Sequence, residues 1–244
     1  PWTLPSNTAL CVGPSIEYDV VRTYNPYSGE KITIVAADAL LGSLFGAKAA
    51  GVPLDEYKKG DKVVPYEIVA KFKGSVLVDM HYKQLIPWMN PGEGAFRVIP
   101  GDYVSTDEGT GIVHIAGTFG ADDQRVSRLN NIPPLHLTDK DGNIRPMVDP
   151  TGKFYLLEDL DPEFVRTSVD EEAYKPWQGK FVKNAFDPAK NENDETLDIE
   201  ICMWLKQRGL VFRIEKHVHS YPHCWRTDKP VLYYPLDSWF IRTT

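Results

Sequence analysis

Residues 109–123 read GTGIVHIAGTFGADD, and the way this stretch is taken decides the fold. Gly109 and Gly111 flank Thr110 with no Cβ on either side, so the backbone there can come close to a ligand. Ile112, Val113 and Ile115 have the branched, apolar character of a strand. Alternation along that strand sets His114 on the face opposite Val113 and Ile115. A turn at 117–121 then brings Asp122 and Asp123 back near the strand end, where negative charge suits the first turn of a following helix. As plain structure the unit is strand, turn and helix, and Asp122 reads best as helix-start charge. As a site it is a pocket wall, with His114 and Asp123 bordering one small hollow.

Working outward, short strands dominate. Segments 16–23 (IEYDVVRT) and 31–37 (KITIVAA) flank a turn at 25–29. Residues 38–46 form a short helix with Asp38 as its cap and Gly46 as its stop. Segments 62–72 and 75–80 are β-rich around Lys73-Gly74 and suggest a hairpin. FRVIPGDYV at 96–104 is a strand broken by Pro100-Gly101. A helix at 121–130 and a strand near 134–138 follow. Residues 139–193 are rich in Asp, Gly, Pro and Asn, and read as an acidic, loop-rich surface excursion. Over 194–208 a helix is capped by Asp194, buries Leu197, Ile201, Trp204 and Leu205, and ends at Gly209. Strands are expected again at 210–218 and 230–236. The fold class is mainly β with peripheral helices, barrel-like, or α+β if the helices are counted. Residues 1–244 are read as a single domain.

Composition bounds the function. The chain has 244 residues, 42% hydrophobic and 25% charged, the mix of an ordinary globular protein. No apolar run approaches the ~20 residues that a membrane span needs, so no membrane partner is expected. Three scattered cysteines, Cys11, Cys202 and Cys224, argue against a disulfide framework and for a cytoplasmic location. The net charge of −7 argues against a free-standing nucleic-acid binder. Residues 205–244, however, hold seven Lys/Arg against three acids, a net +4, which leaves −11 for the rest. Any nucleic-acid contact is therefore expected at the C-terminal end. The opening PWTLPSN, without an initiator Met, and the close at FIRTT suggest a piece of a longer protein.

Candidate chemistry is sparse. GxSxG, a Walker loop and HExxH are all absent. Carboxylate pairs sit in polar stretches, where nothing should shift their pKa. His217, His219, His223 and Cys224 offer zinc-preferred ligands, but their spacing completes no four-ligand site. A structural corner with Tyr221 and Trp225 packed is the simpler reading, and no metal is expected.

Three segments taken together, PWTLPSNTAL at 1–10, GTGIVHIAGTFGADD at 109–123 and HSYPHCWRTDKPVLYYPLDSWFI at 219–241, resemble the editing domain of the isoleucyl-tRNA synthetases. The resemblance runs end to end and implies hydrolysis of valine mis-attached to isoleucine tRNA. Valine lacks one methylene, which a hydrophobic pocket discriminates by only ~1–3 kcal/mol, a magnitude for which these synthetases are themselves the standard example. A second site must then admit valine and exclude isoleucine by size. The resemblance implies that Asp123 holds the substrate's α-ammonium and that His114 lines the side-chain pocket. It also places Trp2, Thr3 and Phe119 at that pocket and links Asn7 to editing. Thr110 joins them on the Gly-Thr-Gly argument alone. The implied catalytic set is Asp123, His114 and Thr3, and the implied substrate-binding set is Trp2, Asn7, Thr110, Phe119 and Asp123.

Two departures from the family pattern matter. Its threonine triplet falls just ahead of Pro1, outside the numbered residues. Gly117 stands where the family usually has proline, which should loosen the turn carrying Phe119 and shift Asp123. The implied partners are the 3′ acceptor end of tRNA(Ile), a valine moiety and the rest of the parent synthetase. No cofactor is implied for editing, with ATP and Mg belonging to the parent enzyme elsewhere. A different reading of the same residues is a non-catalytic module that positions the tRNA acceptor end.

Overall fold

The structure is a computed structural model that describes residues 1–191, 193–216, 220–235 and 241. Strands β1 (Ala9–Val12), β2 (Glu17–Tyr24), β3 (Lys31–Ala37), β4 (Glu67–Lys73), β5 (Arg97–Pro100) and β6 (Ile112–Ile115) form two three-stranded sheets. One has the order β5-β1-β6, with β1 parallel to β5 and antiparallel to β6. The other is antiparallel, in the order β3-β2-β4. A small ribbon pairs β7 (Leu137–Thr138) with β8 (Ile144–Arg145). Both larger sheets keep open edges, so the expected barrel is not closed among the described residues. β6 is an edge strand, and its outer side carries no strand partner there.

Helices lie at the periphery: α1 (Leu41–Phe45), α2 (Ala121–Leu129), α3 (Pro162–Ser168), α4 (Glu171–Tyr174) and α5 (Leu197–Gln207). On α2, Val126 is buried against Ile115, Cys11 and Ile99, with Val113 packed at the margin. This fixes the helix on one face of the β1–β6 sheet. Asp38 does not cap the helical turn it begins. It is drawn instead to Lys71, whose ammonium also faces Asp19 at 3.5 Å. Asp19 is fully buried, and burial raises its pKa first, with Asp38 beside it adding to the effect. The expectation that carboxylate pairs stay unperturbed fails here.

Several expected elements are replaced. No hairpin forms at Lys73-Gly74: β4 ends in a short 3-10 turn at Gly74–Val76. The reason is close backbone approach, since a Cβ on Gly74 would fall 2.3 Å from the Gly13 carbonyl oxygen. The Gly74 and Ser75 amides donate to Ile16 and Pro14. Helix α5 is capped by Thr196, whose hydroxyl accepts from the Ile199 amide, rather than by Asp194. After Gly209, residues 211–216 are not a strand. Side chains take the place of a ladder: the Tyr27 hydroxyl accepts from the Ile214 amide at 3.1 Å, and the Asn25 side-chain amide donates to the Val211 carbonyl at 2.9 Å. Residues 230–235 form one isolated bridge, His223 with Pro230, not a strand.

The acidic middle is also more than a surface excursion. Met147, Val148, Phe154, Leu160, Tyr174, Trp177 and Val182 come from it, and all belong to the largest buried cluster. Its charges face solvent while its aromatics build core. Trp88 joins them, stacked on Tyr174 at 4.6 Å between ring centroids.

Candidate functional site

The first eight residues arrive at the site along a pinned path. The Trp2 amide donates to Asp198 on α5 at 2.8 Å, and the Trp88 indole donates to the Pro5 carbonyl at 2.7 Å. The Thr8 amide then reaches the Ile115 carbonyl at 2.9 Å, zipping the segment onto the end of β6. That path delivers Thr3 and Asn7 to the face of β6 from which His114 projects.

At His114, both ring nitrogens are occupied. Nε2 lies 2.9 Å from Thr3 Oγ1, and Nδ1 lies 3.0 Å from Asn7 Nδ2. The Asn7 amide nitrogen can only donate, and it also donates to the Ala9 carbonyl at 2.8 Å. Nδ1 must therefore accept. A neutral imidazole has one N–H, so that hydrogen sits on Nε2 and is given to Thr3. Burial holds the imidazole neutral by pushing its pKa down from 6.5 to about 4. The Asn7 carbonyl oxygen, in turn, accepts from the Tyr82 hydroxyl at 2.5 Å. Tyr82 was not singled out in the sequence, because nothing in HYKQL marks its hydroxyl as directed at residue 7.

Asp123 occupies a different position. Its Oδ2 accepts the Ala116 amide at 2.9 Å, closing the turn from β6 into α2. Partial burial raises its carboxyl pKa, while the Ala116 hydrogen bond opposes the rise. The turn is firm: the Phe119 amide donates to the Ala116 carbonyl at 2.9 Å. Gly117 packs so closely that a Cβ would lie 3.0 Å from Ser127 Oγ. Phe119 is buried and meets Trp2 edge-on, with centroids 5.0 Å apart. Asp122 stays on the surface beside Arg125 at 3.8 Å, consistent with helix-start charge.

The structure thus brings Thr3, Asn7 and His114 together, and Trp2 with Phe119, but Asp123 does not touch His114. His114 projects from β6, and Asp123 from the first turn of α2, the helix whose Val126 packs against Ile115. Because β6 is an edge strand, a ligand lying across its open side could reach both groups. A cleft of about 650 Å³ runs along that strand, lined among others by Tyr103, Ser105, Thr110, His114 and Lys216. Asp123 is not one of its walls. Thr110 lines it, but the Gly-Thr-Gly stretch serves the fold first. A Cβ on Gly111, at φ +73°, would fall 2.7 Å from the Ala37 Cβ, and the Thr110 carbonyl accepts the Ala37 amide at 2.9 Å. Of the two glycines, Gly109 alone has nothing within 4 Å of where a Cβ would stand.

His217 and His219 lie outside the described residues. Among those described, no group of three or more His, Cys, Asp or Glu is arranged to hold a metal ion. The expected packed corner is only half present. Tyr221 lies under the Lys183 ammonium at 5.1 Å, whereas Trp225 is 86% exposed beneath Arg226. Among the described residues no helix is long and apolar enough to cross a membrane.

Comparison with known proteins gives the geometry its context. No family model matches the chain. Over its whole length it is 62% identical to an isoleucine–tRNA ligase of Bacteroides fragilis, 60% to that of Porphyromonas gingivalis and 49% to that of Cytophaga hutchinsonii. The chain belongs to the isoleucyl-tRNA synthetase family. It spans about a fifth of the length of those curated relatives, covering 21%, 22% and 21% of them respectively. A solved structure titled "The crystal structure of GlLeuRS-CP1" aligns at TM-score 0.35 and 20% identity, over 52% of this chain and 39% of that one. Within the family match, the Thr3–Asn7–His114 cluster and the turn carrying Phe119 and Asp123 fall on two of the three segments that first suggested it.

Proposed function

We propose that the chain is the editing portion of a longer isoleucyl-tRNA synthetase and hydrolyses the ester of valine mis-attached to tRNA(Ile). The observation that carries this reading is the polar cluster of Thr3, Asn7 and His114 set against β6 in a chain of this family. The aminoacyl ester would lie across the open edge of β6. Its α-ammonium meets Asp123, whose carboxylate also accepts the Ala116 amide and faces the Tyr103 hydroxyl. Its side chain lies against the wall made by Thr3, His114 and the Trp2–Phe119 pair, where the extra methylene of isoleucine does not fit.

His114 is neutral and both its nitrogens are engaged, so it is a wall and not a base. Catalysis is then chiefly positioning: the ester is fixed, and a water is held in line with it. No side chain needs to change protonation state. The partners are the tRNA 3′ acceptor end and the rest of the synthetase, in the cytoplasm. Editing uses no metal or cofactor, while ATP and Mg serve the parent enzyme elsewhere.

The test is Asp123→Ala in the longer synthetase with valyl-tRNA(Ile) as substrate. Loss of a charge-assisted hydrogen bond worth ~1.5–3 kcal/mol should slow deacylation roughly 10- to 100-fold. An undiminished rate removes Asp123 from this role. The engagement of both His114 nitrogens by hydrogen bonds also favours a second reading, a module that only positions the tRNA acceptor end. Multiple turnovers of mischarged tRNA by the 244-residue chain alone would exclude it.

A further inference from the structure

The geometry points to Tyr82 as a positioning residue that sets the rigidity, and so the selectivity, of the His114 wall. This inference rests on the editing reading for its consequence, but not for its structural part. Tyr82 approaches from the segment before β5. Its amide donates to the Phe96 carbonyl at 2.9 Å, and its ring meets Phe96 edge-on at 6.1 Å, so the phenol has little freedom to move. Its hydroxyl gives a hydrogen to Asn7 Oδ1, and Asn7 gives one to His114 Nδ1. His114 Nε2–H then gives one to Thr3 Oγ1. Every bond in the row points the same way, from Tyr82 toward Thr3.

Asn7 is the weak joint in that row. Its amide has two hydrogens but faces three acceptors: the Ala9 carbonyl at 2.8 Å, His114 Nδ1 at 3.0 Å and the Ile115 carbonyl at 3.3 Å. The Ile115 carbonyl is already served by the Thr8 amide, so the existing arrangement spends both hydrogens where they are needed. Holding it there requires the oxygen end of the amide to be anchored, and the Tyr82 hydroxyl is that anchor. Without it, the amide can tilt toward Ile115 and release Nδ1. The imidazole then gains access to its other neutral form, with the hydrogen on Nδ1, and its ring is free to rotate. A wall that yields would admit the larger side chain.

Two measurements on Tyr82→Phe separate the parts of this inference. The first reads the tautomer directly, by two-bond proton–nitrogen correlation spectra of the 244-residue chain labelled at histidine. The unmodified chain should show the Nε2–H form alone, and Tyr82→Phe should show a measurable fraction of Nδ1–H. An Nδ1–H form in the unmodified chain, or an unchanged spectrum in the variant, overturns the positioning role whatever the protein does. The second compares hydrolysis of isoleucyl- and valyl-tRNA(Ile) by the longer synthetase. Tyr82→Phe should raise the isoleucyl-to-valyl ratio of kcat/KM about tenfold, by recovering hydrolysis of the isoleucyl ester rather than by losing the valyl rate. A loosened tautomer with an unchanged ratio overturns the selectivity role while leaving the hydrogen-bonded row intact. Failure of the unmodified enzyme to hydrolyse valyl-tRNA(Ile) at all would overturn the editing reading itself.

Discussion

Burial of a neutral His114 makes the protein's stability depend on pH in a definite sense. The folded pKa is about 4 against 6.5 unfolded, so between those values the unfolded chain binds more protons. Stability contributed by the neutral ring is complete above pH 6.5 and is lost as pH falls toward 4, by up to about 3 kcal/mol from a shift of that size. Other groups titrate in the same range, so the test is a difference. Urea unfolding of the wild type and His114→Gln at several pH values should show the wild-type advantage shrinking below pH 6.5. Parallel curves would mean that His114 is not held neutral. At this scale the sequence was informative about identity and poor about bonding. Alternation put His114 on the correct face, because a strand's period of two leaves no choice. It could not show that Asn7 meets His114 or that Tyr82 meets Asn7, since those contacts cross 107 and 75 positions of chain.

Elements were legible where local rules acted alone. Strand β3 occupies the expected residues, and α2 begins where the GADD stretch placed it. Legibility failed where a distant group replaced the local partner. Leu210 to Lys216 have strand-like composition, yet the side chains of Asn25 and Tyr27 satisfy backbone groups a ladder would have used. Helix α5 is a subtler case, because both Asp194 and Thr196 are good capping residues. Asp194 is used in the preceding turn, where it accepts the Asn191 amide at 2.7 Å. Thr196 caps the helix. Thr196→Ala should therefore cost about 1 kcal/mol of stability and reduce helical signal, measured by urea unfolding and far-ultraviolet circular dichroism. A silent Thr196→Ala would return the cap to Asp194.

For the molecule as a whole, the misleading feature was charge. Residues 139–193 look like solvent-facing chain because acids dominate their count, but every few residues an aromatic or aliphatic side chain turns inward. Phe154 is fully buried in the largest cluster, and truncating a core phenylalanine typically costs 3–5 kcal/mol. Phe154→Ala should approach that cost in chemical denaturation. A cost below about 1 kcal/mol would restore the view that this region is an appendage. Averages of composition cannot register such a pattern, because burial is decided side chain by side chain.

The hydrogen bond from the Trp2 amide to Asp198 joins two points 196 positions apart in the chain. Helix α5 lies nearly two hundred residues from the opening segment, yet it acts as a mooring for it, and Thr3 hangs one residue further along the same line. Damage to the helix would thus travel to the imidazole without disturbing a single atom of the intervening sheet. A small molecule that pried α5 away would unmoor Thr3 from outside the cleft, without entering it.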